Sequence, residues 1–313
     1  MEILTSPDNA ADGLDGYPTE RRYVTVPSGE GQDLRVHLVD VGDPDAPVVV
    51  FLHGNPSWSY IWRHQIAAVV AAGYRAVAPD LVGMGLSDKP SNMNDYSVAR
   101  HVEWMRAALF DELGLTDVTF VLHDWGGIIG MRLAAEHPER VTRMAISNTG
   151  LPFRDIAEPL PDVIEPSGPL ADFQAFAAAA PTWEPWGLLG MVMVTEPTDP
   201  VVRGYRAPYP DQTLTVGSRA FTQLLPTRPD NPMYPANYHA WSVLDAWTKP
   251  VLTIFSDRDS VAPDGWKPIV ARIPGASGQP HVILEGGGHF VQEDLPEEYS
   301  EVLVEWLGDA RGA

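Results

Sequence analysis

The chain contains no cysteine, which excludes disulfides, thiolate nucleophiles and zinc–thiolate sites together. Cationic residues are scarce: 21 Lys and Arg stand against 42 Asp and Glu, a formal charge of −21, and Lys89, Lys249 and Lys267 are the only lysines. A surface so acidic repels phosphate backbones and anionic headgroups, so neither nucleic acid nor membrane is expected as a partner. Its field also favours neutral substrates over anionic ones. No apolar run approaches the length of a spanning helix. The first sixteen residues are polar and acidic, with neither the basic nor the apolar region of an export signal, so a cytoplasmic location is expected.

What remains is an ordinary globular composition, 44% apolar with ten tryptophans, over 313 residues. That length buries a substantial core, as one large domain or as a domain carrying an insertion. Strand-like runs read from Leu34 to Asp40, Val48 to Leu52, Arg75 to Ala78, Val118 to Leu122, Arg143 to Ser147, Pro250 to Phe255 and His281 to Leu284. Helical patterns lie between them. Ser57 to Ala72 puts Trp58, Ile61, Trp62, Ile66 and Val69 on one face, Val98 to Leu113 is helical, and Tyr299, Val302, Leu303 and Trp306 mark the last helix. The alternation predicts an α/β fold with a mostly parallel central sheet and helices on both faces. From Leu151 to Asp230 it breaks into a segment rich in proline and alanine with no convincing strand. That segment is expected to be a helical cap inserted into a core made of residues 1–150 and 231–313, lying over the carboxyl ends of the strands.

The most informative segment is Val118 to Gly127. A β-branched strand ends at His123-Asp124, and Trp125-Gly126-Gly127 then opens a helix. A strand, tight turn and helix of this kind holds the apical side chain clear of the sheet, with the next backbone N–H aimed at the same spot. Asp124 is therefore the expected nucleophile. A carboxylate needs no base to attack saturated carbon, but the alkyl ester it leaves requires water activated by a base. His289, in the glycine-rich Glu285-Gly286-Gly287-Gly288-His289-Phe290 after the last strand, fits that role. Asp259, after the preceding strand, fits the group that orients the imidazole. Asp257 competes with it, but Asp259 lies farther into the loop and so folds back more readily towards His289. The other histidines read as packing or surface residues, with His53 left open because its loop faces the same site. The order nucleophile, acid, histidine is that of an α/β-hydrolase.

Five segments together resemble the haloalkane dehalogenase family of the α/β-hydrolases. They are His53 to Tyr60, Pro79 to Pro90 with its Gly83-Met84-Gly85-Leu86-Ser87-Asp88-Lys89-Pro90, His123 to Gly127, Ala207-Pro208-Tyr209-Pro210-Asp211, and Gly288 to Glu293. Singly, several also occur in epoxide hydrolases. The resemblance implies hydrolysis of a small neutral halogenated substrate to an alcohol, halide and a proton through an ester on Asp124, with no metal and no organic cofactor. It also implies two N–H donors against the departing halide. Trp125 fits one. The cap position where a tryptophan is expected falls on Phe176, near Phe173, and phenylalanine cannot donate. Asn55 is therefore the expected second donor, with Trp183 or Trp186 as substitutes. A glutamate after the earlier strand, used by other branches, would fall near Asn148, which is not an acid. An epoxide hydrolase would instead need two cap tyrosines, and Tyr205, Tyr209, Tyr234 and Tyr238 are available. A ligand-binding or light-emitting relative would have no need of a complete triad.

Overall fold

The computed structural model describes the chain except residues 8, 19, 162–164, 169 and 310–313. The described residues form ten strands: β1 (Ile3–Leu4), β2 (Arg22–Pro27), β3 (Asp33–Val41), β4 (Val48–Leu52), β5 (Arg75–Pro79), β6 (Lys89–Pro90), β7 (Val118–His123), β8 (Val141–Ser147), β9 (Val251–Ser256) and β10 (Val282–Leu284). Eight of them build one sheet in the order β10-β9-β8-β7-β4-β5-β3-β2, while β1 and β6 form a separate ribbon. Pairing is parallel from β10 through β5 and antiparallel at β5–β3 and β3–β2. Strands β7 and β9 are buried throughout, as expected of a sheet covered on both sides.

Alternation along the strands sends side chains into two cores. Val50, Leu52, Phe120 and Leu122 enter one; Val49, Phe51, Val121 and Ile254 enter the other. The first face is covered by α2 (Val98–Arg106) and α3 (Trp125–Glu136), and the second by α1 (Arg63–Ala71) and the C-terminal helix Pro296–Asp309. Between β8 and β9 the described residues hold helices and no strand: α4 (Ala171–Ala179), α5 (Leu189–Val192), α6 (Asp199–Arg206), α7 (Val216–Gln223) and α8 (Met233–Leu244). The last of these packs against α3. It therefore belongs with the sheet layer.

Several elements differ from the sequence expectations, among them the short strands β1 and β6. The stretch from Ser57 begins as a 3-10 turn, Ser59–Trp62, before α1 starts. Past Arg106, α2 widens into a π-turn over Ala107–Glu112, carrying Leu109 and Phe110 into the core. The edge strand β2 was not expected, because its half-exposed Arg22–Pro27 shows little burial pattern. Its pairing comes from β3, through six consecutive register partners.

Candidate active site

Asp124 sits at the turn between β7 and α3 with φ 51° and ψ −126°. A non-glycine residue held there costs roughly 1–3 kcal/mol, which persists only where surrounding structure over-determines it. The surroundings do so through glycine. A Cβ at Gly126 would overlap the Leu52 and His53 carbonyl oxygens, and one at Gly127 would overlap Thr149, so α3 lies directly on β4 and on the chain leaving β8. Gly54 faces the same side chain, and a Cβ there would overlap the Asp124 carboxylate. The carboxylate accepts the Asn55 backbone N–H at Oδ1, 2.7 Å, and the Trp125 backbone N–H. Burial pushes its pKa up, but the His289 imidazole beside it and these N–H groups prevail and hold it below the usual carboxylate range.

His289 follows β10, and its imidazole Nδ1 lies 2.9 Å from Asp259 Oδ1 while Nε2 lies 3.4 Å from Asp124 Oδ2. Burial alone would lower the pKa of this imidazole. The two carboxylates outweigh burial and raise it to about 9. Asp259 in turn accepts the backbone N–H groups of Val261 at 2.8 Å and Ala262 at 3.2 Å. Asp257 instead accepts the Gly286 N–H at 2.7 Å on the surface, pinning one loop to the other and taking no part in the cluster. Asn148 stands at the end of β8, where a glutamate was considered. It donates to the carbonyls of Gly288 (3.0 Å) and His289 (2.9 Å) and accepts the Ser256 N–H (3.0 Å), so it locks the histidine loop to β9. His123 donates from Nε2 to the same His289 carbonyl, 2.8 Å.

Asp124, His289, Trp125 and Asn55 line one cavity of about 190 Å³, with apolar walls that include Phe173 and Leu188. The Trp125 indole N–H has no hydrogen-bond partner among the described residues, and neither has the Asn55 side-chain amide nitrogen. The Asn55 oxygen, by contrast, accepts the Ser218 hydroxyl at 2.7 Å. No group of His, Asp and Glu among the described residues is arranged to hold a metal ion.

Several expectations need correction. Phe176 does not reach the cavity and is 57% exposed. On α4 the covered positions include Phe173, Gln174 and Ala177, whereas Phe176, about 60° round the helix from Phe173, falls outside that arc. Trp183 does not line the cavity either, and its indole N–H is spent on Ser218 Oγ, 3.0 Å. Trp186 stacks on Tyr209 with the Arg206 guanidinium over its ring. His53 is structural: Nδ1–H donates to the Gly54 carbonyl (2.8 Å) and Nε2 accepts the Leu81 N–H (2.9 Å), while burial lowers its pKa. None of the four tyrosines lines the cavity. Tyr205 donates to Glu293 (2.7 Å), Tyr209 accepts the Gly85 N–H (3.2 Å), Tyr234 donates to the Pro226 carbonyl (3.1 Å) and Tyr238 stacks on Phe153. Sequence reasoning missed the Ser218 contact, since a serine 163 positions from Asn55 leaves no local signal.

A mostly parallel sheet with a strained acidic elbow, and an imidazole and second carboxylate brought to it from two later strand ends, defines an α/β-hydrolase with an aspartate at its elbow. A sequence profile described as the alpha/beta hydrolase fold matches residues 47–185. Haloalkane dehalogenase 1 of Mycobacterium tuberculosis strain H37Rv is 43% identical over 306 residues, 98% of this chain and 99% of that protein. The haloalkane dehalogenase of Psychrobacter cryohalolentis is 41% identical over 311 residues, 99% of each chain. Among solved structures, the tetrameric haloalkane dehalogenase DpaA of Paraglaciecola agarilytica NO2 superposes with a TM-score of 0.85 at 27% identity, covering 98% of both chains. The chain belongs to the haloalkane dehalogenase family of α/β-hydrolases. No helix among the described residues is long and apolar enough to cross a membrane.

Proposed function

We propose that Asp124, His289 and Asp259 carry out hydrolytic dehalogenation in two steps. Asp124 attacks the carbon bearing the halogen in line with the leaving group; a carbon–oxygen bond forms, the carbon–halogen bond breaks and its electron pair leaves with the halide. Water then adds to the ester carbonyl, giving one proton to His289 as the alkyl–oxygen group departs as an alcohol and the Asp124 carboxylate is restored. The balance is haloalkane and water in, alcohol, halide and a proton out. Asp259 holds the imidazole and stabilises its protonated form. A halide released among apolar walls is costly unless donors face it, and the unspent N–H groups of Trp125 and Asn55 are suited to that task.

The observation that carries this reading is the meeting of Asp124 and His289, 3.4 Å apart, with those two donors in one cavity. Helices of residues 151–230 would act as the cap over it, with Phe173 forming part of the substrate wall. Small neutral substrates suit the cavity size and the chain's charge, and the acidic, cysteine-free composition suits a cytoplasmic setting. The engagement of all four tyrosines elsewhere counts against an epoxide-opening site, which needs a phenolic proton at the ring oxygen. Incubation with a short bromoalkane and, separately, with an aryl epoxide tests the reading. Bromide and alcohol should appear in equal amounts with no diol; diol without bromide would overturn it.

A further inference from the structure

The side-chain amide of Asn55 has a donor end and an acceptor end, and only the donor end can serve a halide. Its orientation is decided two residues away. Trp183 has an indole N–H that can only donate, and gives it to Ser218 Oγ at 3.0 Å. The serine hydroxyl then has one proton of its own, and Asn55 Oδ1 lies 2.7 Å from it. The chain of donors runs Trp183 to Ser218 to Asn55, which turns the amide oxygen away from the cavity and leaves its NH₂ facing inward. Ser218 is 0% exposed and Trp183 4%, so bulk water does not compete for these contacts.

We propose that Ser218 is a positioning residue for the leaving group, fixing the Asn55 amide so that its N–H faces the departing halide, with Trp183 fixing Ser218. This rests on the reading of Asn55 as a halide donor. Both residues of the relay lie on the inserted helical segment, Ser218 within α7 and Trp183 after α4, whereas Asn55 lies on the loop after β4. A residue of the sheet layer is thus set by the helices above it. The relay also accounts for a donor site in a chain whose α4 offers only Phe173 and Phe176.

The test is a bromide titration of the full chain, followed by quenching of intrinsic tryptophan fluorescence, with single-turnover bromide release from a short bromoalkane measured alongside. Ser218→Ala should weaken bromide binding and slow bromide release each by about tenfold, the scale of one net hydrogen bond. Ser218→Thr, which keeps the hydroxyl, should stay within about twofold. In an Asn55→Ala background, Ser218→Ala should add nothing, because the group it orients is gone. An equal loss in both backgrounds, or no loss with Asn55 intact, would overturn the proposal. Should Ser218→Ala fail to fold, Trp183→Phe carries the same comparison: a several-fold loss expected with Asn55 present, and additivity contradicting the relay. A wild-type chain that neither binds nor releases bromide would refute the dehalogenase reading itself, whereas wild-type bromide release unchanged by the variants would refute only the relay.

Discussion

His289 faces two carboxylates, and the proposed reaction removes one of them. While Asp124 is ionised, burial is outweighed by the two carboxylates and the imidazole pKa stands near 9, so the resting side chain is protonated at neutral pH. Esterification neutralises Asp124, which abolishes its attraction for the imidazolium 3.4 Å away. The pKa then falls, the proton leaves for solvent, and the neutral base that hydrolysis requires is exposed. Ester formation, which needs only an ionised Asp124 with its depressed pKa, should change little above pH 5 in single-turnover bromide release. Ester hydrolysis should rise with pH to a plateau, with a midpoint below 9. A midpoint at or above 9 in rapid-quench measurements would show that the esterified enzyme keeps its histidine charged. At this scale much was legible in the sequence. Asp124, His289 and Asp259 each stand where a strand meets a turn, a pattern visible in a dozen residues. Phe176 misled because its neighbour Phe173 shares the motif, and only the packing of α4 decides which ring is covered. Asn148 and Ser218 were invisible as positioning groups because their partners are distant in sequence.

The elbow strand and α3 can meet only because their contact residues lack side chains. At Gly126 a Cβ would meet the backbone carbonyls of Leu52 and His53, which have no rotamer to yield, whereas at Gly130 it would meet the movable end of Leu122. Gly126→Ala should therefore force α3 off β4 and destabilise the fold by about 1–3 kcal/mol or more, the usual cost of overpacking. Urea unfolding checks this, and Gly130→Ala should cost less. An unchanged midpoint for Gly126→Ala would mean that the helix is not held where the structure places it. Elements with strong apolar periods, β4, β7 and β9, were legible from sequence within one or two residues at their ends. The edge strand β2 was not, since it gains its hydrogen bonds from β3 rather than from a pattern of its own. The π-turn after α2 likewise leaves no sequence signal, because one extra residue per turn changes which face is buried without changing composition.

Across the whole molecule, the sheet gathers three chemical groups from strand ends far apart in the chain, and a buried ion network ties the helical segment to them. The Arg63 guanidinium makes a two-pronged contact with Glu293, at 2.6 and 2.8 Å, and Tyr205 of α6 donates to the same carboxylate. Glu293 lies four residues beyond His289, so the helices above the cavity and the loop bearing the base share one anchor. The break in strand–helix alternation is visible in the sequence, but this anchor is not, because it needs three elements folded together. The central claim is that the elbow carboxylate becomes an ester that His289 opens. Intact and peptide mass spectrometry of His289→Gln after exposure to 1-bromobutane measures it most directly. The account predicts one bromide released per chain and a single butyl group retained on the peptide containing Asp124, with no adduct accumulating on the wild type after turnover; bromide released with Asp124 unmodified, or sustained turnover by the variant, would contradict it.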